Sequence, residues 1–234
     1  METQKSICLE EEFLKQFKKD TNKDFIINNE TTPRLYILTD YFAQSDVFFE
    51  SPLLIKSNNT PSFEKGLLII GDFGTGKTVM LNTMIKVLNR IKMNKIKSYN
   101  AQKVVHEYES LVNGSHKKDF YESFSYGQIL FDDILTEDIA NNYGTKNVFK
   151  ELLEVRYENN AKTFITCNFD PNNLKDIQKA LDQFLLRYGG NDCYNTTSTI
   201  ILLRNGIRTP ATPHKPLSSS IATPRNTPII LSTK

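Results

Sequence analysis

The chain has 234 residues, 39% of them hydrophobic, and its 29 basic and 27 acidic side chains leave a formal charge of +2; this supplies one sizeable core and neither demands nor excludes a polyanionic partner. Cys8, Cys167 and Cys193 are too few and too scattered for a disulfide framework or a zinc site, which fits a reducing interior. The charged N-terminus lacks the apolar centre of a signal peptide and no apolar run reaches the length of a membrane span, so a cytoplasmic protein without a membrane partner is expected.

In chain order, residues 1–64 contain one predicted helix, Leu9 to Lys19, followed by an irregular region with "RLYILTDYF" and "DVFFESPLLI" as apolar islands. From Lys65 the pattern becomes regular. "GLLII" is a short buried strand, and the following segment places Val79, Met80, Met84, Val87, Leu88 and Ile91 at helical spacing. "KSYNAQKVV" reads as a strand leading into the helix "HEYESLVNG". "GQILFDDI" is a strand, "KNVFKELLEVRYENN" a helix, "KTFITCNF" a strand, "NNLKDIQKALDQFLLRYGG" a helix and "STIILLRNG" a fifth strand. Strands alternating with helices over 65–208 predict an α/β domain with a parallel sheet covered on both faces. From Thr209 repeated Thr-Pro steps remove backbone donors and oppose helix, so 209–234 is expected to be a mostly disordered tail, passive rather than partner-binding, with "IILS" the one stretch able to dock.

The first strand runs into Gly71, Asp72, Phe73, Gly74, Thr75, Gly76, Lys77 and Thr78, a complete G-x-x-x-x-G-K-[ST] segment, with Val79 opening the helix behind it. Such a loop turns backbone N–H groups toward phosphate oxygens while the helix N-terminus adds positive potential. Lys77 is then expected to reach the β and γ phosphates and the Thr78 hydroxyl to ligate magnesium. A hydrolytic site also needs a carboxylate at the end of another strand, and "ILFDD" supplies Asp132 for magnesium and Asp133 to orient or deprotonate water. Glu137 is a reserve base. Asn168 ends the strand "TFITCN", where it either sits beside the γ phosphate or caps the turn that follows. Tyr36, Tyr41 and Phe42 serve either a base pocket or ordinary core.

These pieces in this order resemble an AAA+ ATPase, and more narrowly the DnaC/IstB-like group of helicase loaders and transposition ATPases. The resemblance spans about Lys65 to Arg208, through "ILFDDILTE", "NNYGTKNVFKELLEVRYENNAKTFITCNF" and "LLRYG" followed by "RNGIR". It implies a P-loop NTPase three-layer sandwich with a five-stranded parallel sheet ordered 5-1-4-3-2, as an AAA+ core without the C-terminal small domain. It also implies ATP and magnesium as cofactors, Lys77, Asp133 and Asn168 in catalysis, and Thr78 and Asp132 on the metal. Members of the group usually carry an arginine pair after Tyr-Gly that reaches a neighbouring subunit; here Arg187 precedes Gly189 and none follows directly.

The resemblance further implies ATP hydrolysis in DNA replication, loading or remodelling a replicative helicase on DNA, single-stranded DNA included, within an oligomer of like chains. An IstB-like transposition ATPase and a non-hydrolysing nucleotide-dependent adaptor are the alternatives. Arg90, Lys92, Lys95 and Lys97 are the candidate phosphate-backbone contacts, against the plainer reading of a solvated helix end.

Overall fold

The computed structural model describes residues 8–56, 60–71, 74–111, 114–134, 140–141, 145–168 and 198–203. Its centre is a sheet of five strands, β1 (Gly66–Gly71), β2 (Ile96–Asn100), β3 (Gln128–Ile134), β4 (Thr163–Asn168) and β5 (Ser198–Leu203). They lie in the spatial order β2-β3-β4-β1-β5, every neighbouring pair parallel. This is the expected 5-1-4-3-2 order read from the other edge. Strand β1 is interior, between β4 and β5, and buried along its whole length, as a run of "LLII" without polar alternation requires.

Alternate residues of the strands enter two separate cores. Leu67, Ile69, Leu130 and Phe164 face a layer built by the helices α1 (Leu9–Thr21), α2 (Thr31–Ala43) and α3 (Lys77–Arg90). Leu68, Ile70, Phe131 and Ile165 face the helices α4 (Ala101–Glu109), α5 (Gly114–Ser125) and α6 (Val148–Glu158). The period of two along each strand thus divides the apolar residues between both faces, which makes the three-layer sandwich.

Helix α1 begins with Glu10, Glu11 and Glu12 and ends with Lys18 and Lys19, matching the helix dipole at both ends. It is stitched to α3 by Glu12–Arg90 at 2.7 Å and Asp20–Lys86 at 3.0 Å. Three expectations need correction. The island "RLYILTDYF" is not irregular but most of α2: Pro33 sits in the first turn, where a missing N–H costs nothing, and Leu35, Leu38 and Phe42 form a buried stripe. "KSYNAQKVV" is strand only to Asn100, whose side-chain oxygen accepts from the Lys103 N–H and caps α4. Ala101, Val104, Val105 and Tyr108 are all buried at helical spacing, so the two valines belong to helix. Helix α5, with Phe120 and Phe124 inward, was absent from the expected elements.

One buried side chain organises the strand entrances. Arg156 of α6 donates to the carbonyls of Phe124, Gly127 and Lys162 and to Thr163 Oγ1. It therefore ties the approaches to β3 and β4 together, and the opposite ends of those two strands carry the acidic pair and Asn168. The predicted helix over 172–190 and the tail from 209 lie outside the described residues.

Candidate functional site

The loop after β1 is built where the chain can turn only with glycine. Gly74 and Gly76 have φ of 77° and 85°, in the left-handed region, and Gly76 caps the N-terminus of α3. Gly71 is constrained differently: a Cβ there would lie 2.7 Å from the Leu203 carbonyl oxygen of β5. The first glycine is thus needed for close strand packing and the later two for the turn. The lysine that follows is folded back over the loop. Lys77 Nζ donates to Gly71 O at 2.8 Å, to Thr75 Oγ1 at 3.3 Å and to Asn168 Oδ1 at 2.8 Å, and the residue is only 5% exposed.

The two acids reach the same place from β3. Thr78 Oγ1 donates to Asp132 Oδ1 at 3.0 Å, joining the start of α3 to the end of β3. Thr166 Oγ1 donates to the same carboxylate oxygen at 2.6 Å. Asp133 has φ of 67° and its carboxylate accepts from Asn168 Nδ2. Lys77, Asn168 and Asp133 are therefore linked in series from the start of α3 through β4 to β3. A cavity of about 250 Å³ is lined by Gly74, Gly76, Lys77, Thr78, Val79, Asp133 and Asn168, at the C-terminal ends of the strands. Crevices at that edge of an open parallel sheet are where such folds take ligands.

Of the residues expected at the site, Gly71, Gly74, Thr75, Gly76, Lys77, Thr78, Val79, Asp132, Asp133 and Asn168 are brought to this end of the sheet. Asp72, Phe73, Glu137 and Arg187 lie outside the described residues. Tyr41 and Phe42 are elsewhere: with Phe164, Gln128 and Lys162 they line a second cavity of about 330 Å³ at the N-terminal ends of β3 and β4. They are core there and do not approach the phosphate loop, because α2 runs across the sheet and carries its C-terminal half away. Tyr36 is half-buried on the same helix.

Sequence reading missed two residues. Arg34, buried at the start of α2, donates from Nη1 to the Thr75 carbonyl at 2.9 Å and stands 3.7 Å from Glu30. Burial lowers its pKa, against the raising effect of Glu30. It joins a loop 41 residues away, a separation at which no local pattern gives a signal. Thr166 was passed over because a threonine inside an apolar strand reads as ordinary β-propensity.

The donor set fits a nucleotide with magnesium. The hydroxyl of Thr78 and the carboxylate of Asp132 are hard oxygens already within 3.0 Å of each other, and the ammonium of Lys77 is buried among oxygens at the mouth of the loop. Among the described residues no group of three or more His, Cys, Asp or Glu could hold a metal by itself.

Fold and loop together define an AAA+ P-loop NTPase. A family model described as the bacterial DnaA ATPase domain matches residues 49–188, more than half of the chain, and the chain belongs to that family. No curated protein sequence matches it. Among solved structures, the DnaC helicase loader is 17% identical with a TM-score of 0.56, covering 81% of this chain and 99% of its own. The AMPPCP-bound DnaA from Aquifex aeolicus is 14% identical with a TM-score of 0.45, covering 77% of this chain and 48% of its own. At such identities the likeness to DnaC is one of fold.

Proposed function

We propose that the chain binds ATP with magnesium at the phosphate loop, hydrolyses it, and uses the cycle in DNA replication to load or remodel a replicative helicase on DNA. The observation that carries this reading is the convergence of Lys77, Thr78, Asp133 and Asn168 on one cavity at the strand ends, with the Asp132 carboxylate held by the Thr78 hydroxyl beside it. Lys77 holds the β and γ phosphates. Thr78 and Asp132 hold magnesium, which when bound neutralises phosphate charge as it shifts during transfer. Asp133 orients the attacking water and Asn168 holds that carboxylate and the lysine in mutual register. For Lys77 to serve, it must exchange Gly71 O and Asn168 Oδ1 for phosphate oxygens, so nucleotide entry rearranges the Lys77–Asn168–Asp133 series.

Replication is favoured over transposition by the family, and the helicase by the fold shared with a DnaC helicase loader. For DNA, Lys92, Lys95 and Lys97 remain exposed near the α3–β2 connection, whereas Arg90 is engaged by Glu12. Three lysines give a sequence-independent, salt-sensitive contact. No helix among the described residues is long and apolar enough to cross a membrane.

The test is a pull-down of a hexameric replicative helicase with ATP, ADP or no nucleotide, with and without single-stranded DNA, alongside phosphate release. Nucleotide-dependent capture together with turnover supports the full reading. Capture without turnover leaves the adaptor alternative, and turnover without capture removes the helicase.

A further inference from the structure

Two adjacent aspartates on a regular strand point to opposite faces of the sheet. Along β3, Leu130 enters the α1–α3 core and Phe131 the α4–α6 core. By alternation Asp132 would follow Leu130 toward α3, where Thr78 meets it, and Asp133 would follow Phe131 away from the cleft. The register shows why it does not. Phe131 pairs with Ile165 and Ile134 with Cys167, so three steps on β3 match two on β4, and Asp132 and Asp133 together stand opposite Thr166. Phe131 and Ile134 consequently share one core although they are three residues apart. The extra residue is a β-bulge, a device that re-aims a side chain beside a site.

A bulge leaves a ladder donor without its strand partner, and here that donor is satisfied by a side chain. The Asp133 N–H donates to Thr166 Oγ1 at 2.9 Å, and the same hydroxyl donates to Asp132 Oδ1 at 2.6 Å. Thr166 is completely buried, so water does not compete for its hydroxyl. It accepts from the second acid's backbone and donates to the first acid's carboxylate. Asp133, turned into the left-handed region at φ 67°, then reaches Asn168.

We propose that Thr166 is a positioning residue that fixes the bulge, so that both carboxylates at the end of β3 face the nucleotide cleft. It touches neither nucleotide nor metal and acts through Asp132 and Asp133. The proposal rests on the reading of the cleft as a magnesium–ATP site, and its test is designed to survive the failure of that reading.

Thr166→Val keeps the shape and removes the hydroxyl, while Thr166→Ser keeps the hydroxyl. Two readouts apply to both: exchange of the Asp133 amide proton by NMR, and the gain in affinity for a fluorescent ATP analogue on adding magnesium to an EDTA-treated sample. In Thr166→Val the Asp133 amide is expected to exchange at least about tenfold faster and the magnesium gain to shrink by about tenfold, as loss of a buried charge-assisted bond implies. Analogue binding in EDTA should stay within about twofold, because the loop and Lys77 are untouched. Thr166→Ser should restore both readouts to within about twofold of the parent. Unchanged Asp133 exchange in Thr166→Val, or a Ser variant as impaired as the Val variant, overturns the proposal. If the parent binds no ATP analogue, the cleft reading fails and the Asp133 exchange comparison still decides the role of Thr166. If Thr166→Val does not fold, Thr166→Ala takes its place in the comparison with Ser.

Discussion

Lys77 Nζ donates to Asn168 Oδ1 at 2.8 Å, joining the phosphate loop to the end of β4 across 91 residues of sequence. Asn168 in turn donates to Asp133, so a single amide bridges the lysine and the second acid. Replacing Asn168 by Ala should leave ATP affinity within a fewfold while lowering kcat by about ten- to a hundredfold, because the amide positions groups whose interactions strengthen in the transition state. Stopped-flow binding and phosphate release on the same sample separate the two effects. An Asn168→Ala variant with unchanged kcat would leave the amide as a turn cap only.

Arg34 makes the N-terminal helices part of the phosphate loop. Its guanidinium holds the Thr75 carbonyl at 2.9 Å in a buried setting, so truncation strands that carbonyl as well as the helix. Arg34→Met should cost about 1.5–3 kcal/mol of stability, the range for a hydrogen bond to a charged group. It should also weaken ATP binding severalfold by loosening the loop. Urea melts and calorimetric titration measure the two independently; a loss of stability with unchanged affinity would confine Arg34 to a structural role.

Much of this was legible in the sequence, for reasons that particular residues make plain. The glycine loop, Asp132 and Asn168 stand in local patterns, a strand followed by its terminal polar residue, and the strand order follows from the family those patterns indicate. What escaped depended on partners distant in sequence. Arg34 looks like any helix arginine until Thr75 lies against it, and Thr166 like any strand threonine until β3 gains a residue opposite it. Helix α2 was hidden because Tyr36, Ile37, Tyr41 and Phe42 are β-branched or aromatic, and such residues fill strands as readily as helices. The valines of α4 misled in the same way, although Asn100 ahead of them carried the capping signal.

Arg156 is the largest fully buried side chain among the described residues, and burial lowers its pKa to about 10. It remains protonated at neutral pH, its charge met by three carbonyls and Thr163 Oγ1. Arg156→Met would take this donor from the Phe124 and Gly127 carbonyls, while the Lys162 carbonyl keeps the Ile129 N–H; a destabilisation of about 2–6 kcal/mol is expected, at about 1–3 kcal/mol for each buried acceptor left unsatisfied. Chemical denaturation followed by circular dichroism checks the magnitude. A change below about 1 kcal/mol would show that water replaces the guanidinium without strain.

Cys167 lies next to Asn168 on β4, fully enclosed, and burial pushes its thiol up to about 12 despite the opposing field of Lys77, with Asp133 adding to the rise. A folded pKa above the unfolded value favours the neutral thiol in the native state. The contribution is therefore complete below the unfolded pKa, about 8.5, and is lost between there and about 12 at up to about 1.4 kcal/mol per pH unit. Urea midpoints should fall above pH 9 with a smaller slope in Cys167→Ala. In the native protein at pH 8, Cys8, which is half-buried, should take up iodoacetamide far faster than Cys167, read by peptide mass spectrometry. Equal rates would place Cys167 within reach of solvent.

On the proposed function, the loop after β1 holds ATP through Lys77 and, through Thr78 and Asp132, its magnesium. Calorimetric titration of ATP with and without magnesium into the parent chain, Lys77→Ala and Asp132→Asn tests it most directly. Saturable binding in the parent, loss of about a hundredfold or more in Lys77→Ala, and binding in Asp132→Asn that no longer gains from magnesium are predicted. Unchanged ATP affinity in Lys77→Ala would show that the nucleotide does not bind at this loop.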